Sequence, residues 1–210
     1  MFEEANVDIT TRRHSISLDA WKGSFGDRYT KRNRTDWRDC VPFFESVFGR
    51  WAGMEVLEVG CNAGHNLLAL QSLGAYVRGV EPNHRARTLA EDRGLYVVDG
   101  RAEELPFEDE SVDFAFTAGV LIHIHPEQLA GVLRELHRVS RKYILAVEYP
   151  ALAERPIPYR EGVGCWARPY GEEYLGRFPL CLLSTGIAPF PYEGCDWWLL
   201  EKQSPSSKPV

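Results

Sequence analysis

The chain has 210 residues, 44% hydrophobic and 26% charged, which fits one globular, enzyme-sized domain able to bury a sizeable core. Its formal net charge of -6 argues against bulk nucleic-acid or anionic-membrane binding, since neither polyanion attracts a net acidic surface, so a small partner is expected. Met1-Phe2-Glu3-Glu4 carries acid where a signal peptide has a basic and then apolar segment, and no run approaches the roughly 18 apolar residues of a membrane span, so a cytoplasmic location is expected.

Residues 1–50 are expected to form an N-terminal helical lid. Within them, residues 28–38 hold Arg28, Lys31, Arg32, Arg34 and Arg38 against the single acid Asp36, interleaved with Tyr29 and Trp37. That cluster reads either as a local anion site on a lid, packed down by Trp21, Phe25, Phe43, Phe44 and Phe48, or as a solvated basic face beside an aromatic core helix.

Met54 to Val59 then reads as a buried strand. Glu58-Val59-Gly60-Cys61-Asn62-Ala63-Gly64 turns it into a helix over 66–73, the place where an open α/β fold binds a nucleotide-like ligand. Gly60 allows the sharp turn, Gly64 allows close helix-strand approach, and Asn62 is among the side-chain-bearing residues that best tolerate left-handed backbone angles. Glu58 brings a negative charge where a pyrophosphate needs positive surroundings, so the turn suits a cationic ligand. Glu81 closes a second strand, Tyr76 to Val80, about 20 residues on, where a carboxylate can accept both hydroxyls of a ribose.

Strands are further expected at Tyr96 to Val98, Val112 to Thr117 and Tyr143 to Glu148, with helices over 83–93 and 126–139, the last starting at Pro126. The alternation predicts a doubly wound, Rossmann-like α/β fold. Ligands in such sheets sit beyond the strand carboxyl ends, which selects Pro82, Asp99-Gly100-Arg101 and Thr117-Ala118-Gly119, although Asp99 also reads as a plain turn residue. A proline- and glycine-rich insertion follows over 150–179, then runs Leu180 to Thr185 and Trp197 to Glu201, and a polar tail over 202–210 that is expected to be disordered. Cysteines 40, 61, 165, 181 and 195 are odd in number with no C-x-x-C, so reduced thiols are expected. His123 and His125 are the only close histidine pair, and no metal is expected.

The Glu58 to Gly64 turn with Glu81 resembles motif I and the ribose carboxylate of class I S-adenosylmethionine-dependent methyltransferases. That resemblance implies S-adenosylmethionine as cofactor and a mostly parallel seven-stranded sheet with helices on both faces. The domain would span 51–201, the last two runs supplying an antiparallel pair. It also implies that Asp99-Gly100-Arg101 edges the adenine and Thr117-Ala118-Gly119 underlies the methionine portion.

A narrower similarity rests on Phe25 to Asn33, Gly119 to Pro126, Tyr143-Ile144-Leu145, Glu148-Tyr149 and Pro158-Tyr159-Arg160. These are similar to a small methyltransferase group associated with sugar-acid (pseudaminic acid) gene clusters, which includes a phosphonate O-methyltransferase of natural-product biosynthesis. The resemblance implies formation of a phosphonate monomethyl ester, with methylation of a hydroxyl or amine on a sugar acid as the alternative. Tyr29, Lys31, His125, Tyr149, Tyr159, Arg160 and Arg168 are the expected substrate contacts, and Tyr29, Arg168 and His123 the expected catalytic residues. Arg168, beside Trp166, is the leading anion clamp, because a guanidinium can grip an oxyanion with two parallel hydrogen bonds; a plain stacking role on Trp166 is the other reading. An alcohol acceptor would need His123 or His125 as base, unless those histidines serve as helix cap or core; an anionic oxygen needs none. A cofactor-binding module without catalysis is the remaining reading. Amine methylation of nucleic acid is disfavoured, because Thr117-Ala118-Gly119-Val120 stands where such enzymes carry N-P-P-Y.

Overall fold

β1 (Glu55–Val59), β4 (Val112–Ala118) and β5 (Ser140–Glu148) are apolar runs buried on both faces, as strands covered by helices on each side must be. In the computed structural model, which describes residues 18–160 and 163–203, they form the middle of a seven-stranded sheet. β2 (Tyr76–Val80) and β3 (Tyr96–Val98) extend it in parallel on one side. β9 (Asp196–Lys202) and β8 (Leu180–Ile187) close the other side antiparallel, giving the order β3-β2-β1-β4-β5-β9-β8.

Alternation along the strands sorts two cores. Val56, Phe114, Phe116, Tyr143 and Leu145 face one side, where α2 (Val41–Val47) brings Phe43 and Phe44 and α3 (His65–Ser72) brings Ala69 and Leu70. Leu57, Ala115, Ile144 and Ala146 face the other, against Leu129, Val132, Leu133 and Leu136 of α5 (Pro126–Val139), the i, i+3, i+4, i+7 stripe of a helix laid on a sheet. Further helices are α1 (Ser24–Arg32), α4 (His84–Glu91) and α6 (Tyr170–Leu175). The side chain of Asn83, expected inside the helix over 83–93, instead accepts from Ala86 N at 2.9 Å and caps α4.

Phe43, Phe44 and Phe48 do not pin a lid. The Phe44 and Phe48 rings pack with Trp51, Phe114, Phe116 and Tyr143 in the sheet core, and Phe43 packs on Tyr192 and Trp197, because α2 lies directly on the sheet. The insertion over 150–179 has structure of its own: β6 (Arg155–Pro156) pairs antiparallel with β7 (Trp166–Ala167), and α6 follows. Lys202, expected in the tail, ends β9 opposite Leu180, and Gln203 N donates to Pro179 O at 2.9 Å. The rest of the expected disordered tail, 204–210, lies outside the described residues, as do 1–17 of the expected lid and the signal-peptide reading of Met1 to Glu4. Among the described residues no helix is long and apolar enough to cross a membrane, and no cluster of three or more His, Cys, Asp or Glu could hold a metal. Cys40, Cys61, Cys165 and Cys195 are free and buried, and Cys181 is free and exposed.

Candidate active site

The strand order reverses direction between β1 and β4, and the loops leaving their carboxyl ends part to form a crevice. Gly60, at φ 76°, makes the turn after β1 so close to the loop after β4 that an added Cβ would lie 2.5 Å from Val120 Cγ2. Asn62 takes the left-handed conformation at φ 48°, and its Oδ1 accepts from Ala63 N at 2.7 Å. Both line the pocket. Gly64 lies off the lining: an added Cβ would lie 2.2 Å from Leu95 Cδ1, so its lack of a side chain allows the close packing of α3.

Glu81 is held at the carboxyl end of β2 by two backbone amides, Asn62 N to Oε2 at 2.9 Å and Asn83 N to Oε1 at 2.8 Å. Burial raises its carboxyl pKa, with those two amides opposing the shift. The side chain lines the pocket wall, with acceptor capacity left for a pair of vicinal hydroxyls. Asn83 also joins this segment to the N-terminal region, Nδ2 donating to Trp21 O and Asp27 Oδ1, each at 3.0 Å.

Glu58, in the same wall, is fully enclosed. Its Oε1 accepts from Asn66 Nδ2 at 2.6 Å, while Oε2 is buried with no hydrogen-bond partner among the described residues. Burial pushes the carboxyl up to about 8, with the Asn66 bond opposing. An orphaned carboxylate oxygen is costly to bury, so a cationic ligand group at this point would offset the cost. Glu81 for a ribose and Glu58 for an ammonium make the residues present fit S-adenosylmethionine. Pro82, Gly100, Arg101, Ala118 and Gly119 complete that part of the lining.

The other end is walled by aromatic rings. Trp21 packs 5.1 Å from Tyr29 and 4.8 Å from His123, and His123 packs 4.7 Å from Tyr159. Tyr149 also faces in. Burial first, then the neighbouring phenols Tyr159 and Tyr149, pushes Tyr29 up to about 12; burial also raises Tyr149 and Tyr159. All are protonated donors at neutral pH. His123 Nδ1 lies 2.8 Å from Gly164 O, and a carbonyl only accepts, so Nδ1 carries the hydrogen and Nε2 the lone pair. Burial pushes this imidazole down to about 4.

Several expected residues lie elsewhere. Arg168 is completely buried away from the pocket: Nε donates to Glu154 Oε2 at 2.7 Å, Nη1 to Leu121 O at 2.8 Å and Nη2 to Ile124 O at 2.7 Å. Those bonds consume the fork that an anion clamp would need, and the guanidinium also lies over Trp166 at 5.3 Å. His125 caps α5, Nδ1 accepting from Glu127 N at 3.4 Å, which is the capping alternative. Asp99 is turned outward to Arg87 Nη1 at 2.8 Å, and Thr117 is buried beneath the wall. Lys31 and Arg160 are exposed and off the lining. Arg34 and Arg38 are spent locally on Lys31 O and Asp36, so this part of the basic segment is a solvated face.

Trp21 and Thr30, in the pocket lining, and Glu148, buried off it, were not singled out as site residues from sequence. Trp21 Nε1 and Thr30 Oγ1 are buried polar atoms without partners among the described residues, and both side chains line the pocket. Glu148 Oε1 accepts from Val120 N and Leu121 N at 3.2 and 3.1 Å, and Oε2 from Ile122 N at 3.2 Å, fixing the loop that carries His123. Its place at the end of β5, within a motif already quoted, was the available signal.

Comparison with known proteins follows the same lines. Residues 57–143 match the sequence model of a methyltransferase domain. A tRNA U34 carboxymethyltransferase of Hahella chejuensis is 30% identical over 125 residues, 52% of this chain and 37% of that protein. An uncharacterized methyltransferase of Mycolicibacterium vanbaalenii is 35% identical over 110 residues, 50% of this chain and 42% of that protein. The chain thus spans less than half the length of these curated relatives. Among solved structures, magnesium protoporphyrin IX methyltransferase of Synechocystis with bound S-adenosylhomocysteine superposes with a TM-score of 0.71 at 15% identity, covering 90% of this chain and 99% of that one. The Burkholderia thailandensis 1,6-didemethyltoxoflavin N1-methyltransferase, with its acceptor and S-adenosylhomocysteine bound, gives 0.70 at 17% identity over 97% and 93% of the two chains. Residues 57–143 are accordingly similar to a methyltransferase domain, and the chain has the Rossmann-like fold found in solved S-adenosylmethionine-dependent methyltransferases.

Proposed function

We propose that this chain is an S-adenosylmethionine-dependent O-methyltransferase that esterifies an acidic oxygen of a small molecule, with a phosphonate as the favoured acceptor and its monomethyl ester as the product. S-adenosylmethionine would supply the methyl on a sulfonium and leave as S-adenosylhomocysteine once the acceptor oxygen has taken the methyl carbon. Glu81 receives the ribose hydroxyls and Glu58 the ammonium. Gly119, where an added Cβ would meet nothing within 4 Å, keeps its stretch of the floor open, and Gly60 lets Val120 approach the turn after β1. Holding the two reactants at near-attack distance is worth up to about 7 to 11 kcal/mol of barrier.

The observation that carries the acceptor class is the group of protonated hydroxyls at the aromatic end. Tyr29, Tyr149 and Tyr159 act as donors at neutral pH, and the positive charge of Arg32 acts on both Tyr29 and Tyr159. Donors of this kind hold the oxygens of an anion while leaving one oxygen to face the methyl. An anionic oxygen attacks without losing a proton. An alcohol would need a base, and His123, pushed down to about 4, takes a proton poorly at neutral pH. Esterification removes one negative charge from a phosphonate dianion, which weakens its hold and favours release over a second methylation.

The test is S-adenosylhomocysteine formation with small alkyl phosphonates, matched carboxylates, a nonulosonic acid, simple alcohols and amines offered one at a time. Turnover on the phosphonates above the alcohols and amines supports the reading. Turnover confined to a hydroxyl or amine of the sugar acid would replace it with the sugar-acid alternative.

A further inference from the structure

The pocket is closed at its Glu58 end by a segment from the far end of the chain. Pro191, Tyr192, Glu193 and Cys195, in the connection between β8 and β9, line the same cavity as Glu58. The Tyr192 ring packs 4.7 Å from Phe43, and its hydroxyl donates to Asn66 Oδ1 at 2.6 Å. Asn66 Nδ2 then donates to Glu58 Oε1 at 2.6 Å. The amide presents Nδ2, which only donates, to Glu58 and Oδ1, which only accepts, to the phenol, so the relay runs from the Tyr192 hydroxyl through Asn66 to Glu58. It ends at Glu58 Oε2, which is buried in the pocket wall and unpartnered among the described residues.

We infer that Tyr192 is a positioning residue for the amino-acid end of the ligand: through Asn66 it locks the Glu58 carboxylate so that Oε2 faces a ligand ammonium. This rests on the proposed use of S-adenosylmethionine. Without the phenol, the Asn66 amide loses the bond that sets its rotation, and Glu58 loses a fixed donor at Oε1. A carboxylate free to rotate presents its charge in a single direction for less of the time, and the ammonium contact weakens in proportion. Burial raises the Glu58 carboxyl, and a ligand ammonium at the free oxygen would favour its charged form. The adenine and ribose contacts lie around Glu81 and Gly100, so the relay should leave them alone.

Two ligands separate the effects: S-adenosylhomocysteine, which carries the amino-acid portion, and 5′-methylthioadenosine, which lacks it. Calorimetric titration of Tyr192→Phe, which keeps the ring on Phe43, should weaken S-adenosylhomocysteine about five- to tenfold and leave 5′-methylthioadenosine within about twofold. Asn66→Ala should show the same selectivity, and the double variant should lose no more than Asn66→Ala alone, because the two side chains act in series. Equal losses for both ligands would mean general damage to the pocket and overturn the inference, as would unchanged S-adenosylhomocysteine affinity in both single variants. A parent protein that binds neither ligand would overturn the cofactor reading itself and this inference with it.

Discussion

Glu148 and Arg168 grip one loop from opposite sides. The carboxylate collects the amide hydrogens of Val120, Leu121 and Ile122, and the guanidinium donates to the carbonyls of Leu121 and Ile124, so Leu121 is held through both its peptide groups. The segment between them carries His123 and the floor of the pocket. Replacing Arg168 with Ala would orphan the Ile124 carbonyl, leave the Leu121 carbonyl with Ile124 N as its remaining donor at 3.1 Å, and strip Glu154 of its ion-pair partner, so stability should fall by about 2 to 4 kcal/mol. Denaturant unfolding measures it. Arg168→Lys should recover little, since one ammonium cannot reproduce the fork. A variant that folds as well as the parent and loses only acceptor affinity would return Arg168 to the role of anion clamp.

Glu81→Ala removes the acceptor for the Asn62 and Asn83 amides together with the proposed ribose contact. S-adenosylhomocysteine binding should weaken by about 1.5 to 3 kcal/mol in a calorimetric titration, and unchanged affinity would take Glu81 out of the cofactor site.

Tyr29→Phe keeps the ring against Trp21 and deletes a buried donor. Transfer to an anionic acceptor, read as kcat/KM, should drop by about 1 to 2 kcal/mol, with S-adenosylhomocysteine affinity nearly constant. Parental turnover in this variant would leave Tyr29 a packing residue.

Two buried groups set opposite pH dependences of stability. Glu58 has a folded pKa of about 8, raised above its unfolded value, so the folded state retains the proton longer and the ligand-free protein loses stability as pH rises towards and through 8. Glu58→Gln should therefore unfold at a higher temperature than the parent at pH 9, the gap closing towards pH 5. His123 is held down to about 4, so its contribution is present above the ordinary imidazole range and is lost as pH falls towards 4. His123→Gln should lessen the acid-side loss. Thermal melts of the two variants across pH read both signs.

How much was legible in the sequence follows from how local each feature is. Gly60, Asn62 and Glu81 announce themselves because a strand, a tight turn and the end of the next strand are short-range patterns, and every sheet strand expected from the apolar runs is present within a few residues. The aromatic end of the pocket was legible only in part. Tyr29, Tyr149, Tyr159 and His123 do meet there, but Arg168 was assigned by its chemistry alone. Its true partners are Glu154, 14 residues away, and the carbonyls of Leu121 and Ile124, 47 and 44 residues away; no spacing rule reveals such pairings. Tyr192 and Asn66 are 126 residues apart, and only the folded sheet brings them together. Asp99 fits the end-of-strand rule and still turns outward, because Arg87 on α4 offers it a nearer charge.

The most direct measurement of the central claim is phosphorus NMR of a small alkyl phosphonate incubated with the protein and S-adenosylmethionine carrying a carbon-13 methyl. We expect a new resonance coupled to the labelled carbon through a P-O-CH3 linkage, growing in step with S-adenosylhomocysteine and stopping at the monoester. S-adenosylhomocysteine that accumulates while every phosphonate resonance stays unchanged, with the label on a sugar-acid hydroxyl or amine instead, would contradict it.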